Sequence, residues 1–282
     1  MIKMFQKKLK IMKRLAGHVI LYDADCPMCG LYTKAFVRCG MLGAEGRASY
    51  QDPPAACAAL IDRQRAVNEI ALVNTRTATV TYGVQSLFTI LASALPALAP
   101  VFRFRPFSWA AQKAYGLISY NRRIILPLNP DPASTGPSLH RGYRFAWILL
   151  AWILTAGILS HYSGHLEGLI PASGFWREYA ICAGQLVWQG ALLAVLAPGK
   201  LLDYLGNMMT VSLGGGLALG ILDLVFGAIG TLPPLVYAAA FLGVAGAMLL
   251  EHARRCRLLG LSWTVSASWV GYRLFLLYFI LN

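Results

Sequence analysis

Residues 18–30, HVILYDADCPMCG, decide how the first half of the chain is read. His18 to Tyr22 is an apolar, strand-forming run. It delivers two carboxylates, Asp23 and Asp25, and then Cys26-Pro27-Met28-Cys29, which the pattern predicts as the first turn of a helix. Positions i and i+3 of a helix share a face, so the two sulfurs can approach disulfide distance without distorting the backbone. At the helix mouth Cys26 meets unsatisfied N–H groups and the positive end of the macrodipole, which favour a thiolate. Pro27 suits the first helical position, where its missing N–H costs nothing, and Met28 gives the turn an apolar surface for a partner thiol. The expectation is a dithiol exchanger, with Cys26 as exposed attacker, Cys29 as shielded resolving sulfur, and Tyr22, Pro27 and Met28 in support. Asp23 and Asp25 oppose the dipole at Cys26; one of them is expected to take or relay the proton of Cys29.

Further along, Arg47 to Gln51 predicts a strand, Ala55 to Arg65 a helix, and Ile70–Asn74 with Thr77–Tyr82 a hairpin. Gly83 precedes a domain-closing helix, Val84 to Leu95, and Tyr115 with Asn121-Arg122 ends the region. The run LYDADCPMC, with these later features, resembles the DCC family of thiol-disulfide oxidoreductases. The resemblance covers residues 18–126 and implies a thioredoxin-like α/β fold whose redox-active centre is the Cys26/Cys29 pair. It implies no other cofactor, and a protein or small-molecule disulfide as partner. One departure is that thioredoxins usually carry a cis-proline before the third core strand, where this chain has Val67-Asn68-Glu69. Metal binding is the rival reading of two thiolates: zinc would be short of ligands, whereas copper(I) would not. The alternative function is therefore a membrane transport or assembly protein whose C-x-x-C domain binds copper(I) or senses redox state. An apolar strand ending in Asp-x-Asp also opens haloacid-dehalogenase phosphatases, but no later acidic pair supplies magnesium ligands.

With 57% hydrophobic and 13% charged residues among 282, the chain is too apolar for an ordinary soluble protein. The apolar mass lies beyond residue 142, in segments near 143–161, 178–197, 208–229, 234–250 and 264–281, of which the last holds Arg273 in its middle. The predicted organisation is a basic amphipathic segment 1–17, an α/β domain 18–126, a Pro/Gly/Ser linker 127–142, and an all-α transmembrane bundle 143–282 of four to five spans. Residues 96–102 read as an irregular apolar surface resting on the bilayer. MKRLAGHVILYD, from Met12, would also open such a domain naturally. The net charge of +13 is uneven, with 17 Lys/Arg against 7 Asp/Glu in residues 1–140. A basic half ahead of hydrophobic spans points to anionic lipid rather than nucleic acid, since no nucleic-acid module accompanies it. Arg141, Arg144, Lys200, Arg254, Arg255 and Arg257 fall on one side of the spans and Arg177 on the other. The positive-inside rule then puts the cysteine domain in the cytoplasm, at the inner membrane of a bacterium. Six unevenly spaced cysteines form no secreted disulfide framework.

Inside the spans, Asp223 and Arg273 are costly in lipid and are expected to face protein, each being a candidate partner for the other. Gln185 and Gln189 read as interhelical hydrogen bonders. Gly216/Gly220 and Ala239/Gly243/Ala247 read as close-packing stripes. His161 and His165, with Glu167, stand at the outer end of the first span and read as interfacial polar residues, so that no metal site is assigned.

Overall fold

A computed structural model describes residues 15–127, 136–171 and 174–281. The chain divides into two compact units, 1–143 and 144–282. The expected basic segment lies outside the described residues except at its end, as does half of the expected linker, residues 128–135.

The first unit holds a four-stranded sheet. Its elements are β1 (His18–Tyr22), α1 (Pro27–Arg38), β2 (Arg47–Ser49), α2 (Ala55–Ala58), α3 (Arg63–Asn68), β3 (Ala71–Asn74), β4 (Thr79–Tyr82), α4 (Val84–Ala94), α5 (Ala99–Arg103) and α6 (Arg105–Ile125). The strand order is β2-β1-β3-β4, with β1 parallel to β2 and antiparallel to β3, and β3 antiparallel to β4. β1 is central, so both of its faces are covered. Ile20 packs with Leu42, Leu72 and Ile90 on one side, and Leu21 with Tyr50, Cys57, Ala71 and Val73 on the other. Cys57 is thus a small core residue.

Three expectations are corrected here. β2 stops at Ser49, because Gln51 turns its amide onto Asp23 instead of continuing the ladder. The single helix over 55–65 is two, since the Asp62 side chain accepts from the amide of Arg65 and caps a new start. Residues 96–102 are not irregular: a 3₁₀ turn, Pro96–Leu98, leads into α5. Proline at the first helical positions supports both starts.

The second unit is helical: α7 (Arg141–Ser163, its first three residues counted with the first unit), α8 (Arg177–Leu196), α9 (Leu201–Ile229), α10 (Pro234–Leu258) and α11 (Trp263–Leu281). Four stretches, Arg141–Leu166, Arg177–Leu196, Pro198–Ile229 and Pro234–Leu258, are long and apolar enough to cross a membrane. The chain is therefore a membrane protein. The third begins about ten residues earlier than hydropathy suggested, because Asp203 is paired with Arg144 at 2.6 Å and its charge does not end the helix. α11, with Arg273 at its centre, is not among the four. Arg144, Lys200 and Arg255 gather at one end of this unit: Arg144 pairs with Asp203, Lys200 donates to Leu259 O at 2.7 Å and Arg255 to Asn207 at 3.1 Å.

The packing stripes divide. A side chain at Gly216 would meet Thr155 of α7, and one at Gly220 would meet Ile158, so this face is a close helix contact. Gly243 faces open space, so the stripe on α10 is not a packing face at that position. Gly215 is the unforeseen contact, where α9 admits the side chain of Met248.

Candidate active site

β1 ends at Tyr22 and the chain turns through Asp23–Asp25, with the amide of Cys26 donating to Asp23 O at 3.1 Å. Cys26 is the N-cap of α1 and Pro27 its first residue. In place of a hydroxyl, the Cys26 sulfur accepts the amide of Cys29 at 3.4 Å. Both cysteines are free thiols facing the same interior.

The two sulfurs titrate in opposite directions. Cys26 is lowered to about 7, first by the hydrogen bond from the Cys29 side chain, against its own burial, with the Cys29 amide and the Arg122 charge helping and Asp23 opposing. Cys29 is pushed far up, first by giving that hydrogen bond, then by burial and the negative charge of Cys26. One proton is therefore shared with a bias: Cys26 holds the charge and Cys29 the hydrogen.

Behind the pair lies a buried ion pair. The carboxylate of Asp23 is 2% exposed and accepts from Arg122 Nη2 at 2.8 Å and Nε at 3.1 Å, from Gln51 Nε2 at 2.9 Å, and from the amide of Asp25 at 3.1 Å. Arg122, 4% exposed, also donates to Val67 O at 2.6 Å and Asn68 O at 3.2 Å. The proline-free segment opposite the cysteines is thus held by a guanidinium. Burial alone would lower the Arg122 pKa, but Asp23 more than offsets it and the net shift is upward. Asp25 instead meets Arg123 at 3.5 Å. Tyr22 lies under the guanidinium of Arg47, 4.3 Å from its ring centre.

A cavity of about 210 Å³ opens beside Cys29, walled by Asp23, Met28, Tyr32, Glu69, Tyr115 and Arg122, among others. Burial drives the phenols of Tyr32 and Tyr115 upward, the latter to about 12. The Tyr115 oxygen accepts the Ile70 amide at 3.0 Å, and Asn121 donates to Leu117 O at 2.8 Å. Asp23 shares the cavity with the resolving cysteine; Asp25 is not among its walls.

Exposure corrects one expectation. Cys26 is 3% exposed and Cys29 5%, so the attacker is not open to solvent. The physical reason is the cap itself: turning its sulfur back onto the Cys29 amide takes Cys26 off the surface, leaving exposed Ala24 and Pro27 as the rim.

The candidates within the spans do not form the expected pair. Asp223 is met by His161 Nε2 at 3.2 Å and His165 Nε2 at 2.9 Å. Arg273 makes no ion pair among the described residues and lies over Trp269, 4.7 Å from its ring centre. Asp223 stands near the end of α9, level with His161 at the end of α7 and His165 in the 3₁₀ turn that follows, so the carboxylate is taken before an arginine can reach it. Gln189 accepts from Tyr204 at 2.9 Å and donates to Ser268 at 3.4 Å. Gln185 is buried with neither amide atom bonded to a described residue, contrary to its expected role. Sequence reasoning missed His252, which is buried between Tyr204 at 3.0 Å and Ser266 at 3.1 Å. Arg273 also reaches a cavity of about 540 Å³, lined mainly by apolar side chains.

Compared with known proteins, the chain matches no family model, no curated protein and no solved structure.

Proposed function

We propose that the first unit is a thioredoxin-like thiol-disulfide oxidoreductase of the DCC type, anchored by the second unit. The observation that carries this reading is the Cys26 sulfur capping α1 on the Cys29 amide, with its pKa drawn to about 7 while that of Cys29 rises. The sheet order and the helix that follows β1 support the same reading.

In the proposed cycle the Cys26 thiolate attacks a partner disulfide R–S–S–R′, forming Cys26–S–S–R and releasing R′–S⁻. Cys29 then gives up its proton, and its sulfur attacks Cys26 to form the Cys26–Cys29 disulfide and release R–S⁻. Two electrons pass to the partner, whose sulfurs leave as thiolates, and the single proton that Cys29 held is released within the site. Asp23, on the cavity that Cys29 lines, is the better placed of the two carboxylates to receive that proton. A partner sulfur reaches Cys26 across the Ala24 and Pro27 rim, with a small opening at the helix mouth. The basic end of the helical unit supports a cytoplasmic location for the dithiol in a bacterial inner membrane.

The test is trapping. Cys29→Ser in cells should accumulate a mixed disulfide through Cys26 that reductant releases and Cys26→Ser abolishes. An absence of any covalent partner, with tight copper(I) binding to the wild-type pair, would favour the carrier reading instead.

A further inference from the structure

We propose that His161, His165 and Asp223 form a binding site for a divalent first-row transition-metal ion, of the zinc type, in the helical unit. His161 ends α7 and His165 follows one turn later in the 3₁₀ segment Gly164–Leu166, so both rings project from one side. Asp223 comes from α9, whose C-terminal end reaches the same level. The two imidazoles present the same atom, Nε2, one to each carboxylate oxygen, at 3.2 and 2.9 Å. The three ligand atoms all lie within 4.8 Å of one another.

The spacing suits a metal. Bonds of about 2.0–2.1 Å in a tetrahedral site put ligand atoms about 3.3 Å apart, and each imidazole Nε2 already stands 3.2 or 2.9 Å from a carboxylate oxygen. Two imidazoles and one carboxylate are a borderline donor set that suits zinc and its neighbours rather than calcium or magnesium. The surroundings hold the ligands in place. The His165 ring stacks on Tyr237 at 4.4 Å and 9°, and Tyr162 meets His165 edge-on while donating to Tyr237 O at 2.8 Å. Bracing of this kind fixes ring orientation. His161 is exposed, which leaves one side open for a fourth ligand. A divalent ion would also offset a carboxylate placed within a membrane-spanning helix. The competing account is a trio of hydrogen bonds in which both imidazoles donate to Asp223 and nothing else binds.

The test uses the full chain in detergent, with Cys26→Ser and Cys29→Ser to remove competing thiolates, stripped with a chelator and titrated with Zn²⁺ alone. One equivalent should bind and raise the melting temperature. His161→Gln, His165→Gln and Asp223→Asn should each weaken binding at least tenfold and abolish the melting shift. Co²⁺ should give a visible ligand-field spectrum that the same variants lose. His161→Gln keeps the proposal testable if the others fail to fold, because that side chain is exposed. Absence of binding, or zinc binding equal in His161→Gln and the parent, would overturn the site and leave the hydrogen-bonded trio.

Discussion

Cys26 uses its sulfur as a helix cap, and this makes the thiolate a consequence of backbone geometry as well as of charge. Removing the hydrogen bond from Cys29 should therefore show directly. In the wild type, the rate of alkylation at Cys26 by a small haloacetamide should rise with pH around a midpoint near 7, because the thiolate forms as the proton leaves above that value. In Cys29→Ala the midpoint should climb by about one unit or more toward that of an ordinary thiol. An unmoved midpoint would remove the pairing of the sulfurs from the account. Asp23 and Arg122 make a second residue-scale prediction. Arg122→Met leaves a carboxylate buried without its cation, which costs about 3–5 kcal/mol, whereas replacing both partners with apolar residues of similar volume should recover most of it. Hydrogen exchange at the core amides of Ile20 and Leu72 measures both. The cysteines and their cap were legible because thirteen contiguous residues specify strand, turn and helix start. The guanidinium was not legible as the partner of Asp23: the two are 99 positions apart, and only packing brings them together.

At the scale of elements, periodicity located β1, the β3–β4 hairpin and the closing helix α4 within a residue or two. It failed where one polar side chain redirects the backbone. Asp62 divides a helix that composition alone reads as continuous, and Asp62→Ala should destabilise the first unit by about 1 kcal/mol. Thermal melting of the full chain in detergent checks this against Asp52→Ala, a change at another exposed carboxylate. The small-residue stripes failed for a different reason: a sequence shows that two helices can approach closely, but not which of them do. Gly215→Leu would drive into Met248 and should cost about 1–3 kcal/mol or more, while Gly243→Leu meets nothing and should leave the melt unchanged. Equal effects at the two positions would contradict the packing described for α9 and α10.

Across the whole molecule, hydropathy located four membrane helices, because lipid demands about twenty apolar residues and a sequence displays them in a row. It could not pair the charges inside them. Asp223 and Arg273 look complementary in sequence, yet the carboxylate is met by His161 and His165 and the guanidinium by Trp269. The reading as an oxidoreductase rests on the first unit alone, and its most direct test is a redox titration of the purified full chain in defined glutathione buffers. The fraction of Cys26 and Cys29 open to alkylation is followed by mass. The account predicts one two-electron transition in which both thiols disappear together, lost in Cys26→Ser and in Cys29→Ser. A pair that stays as two thiols across the whole range of potentials would contradict it.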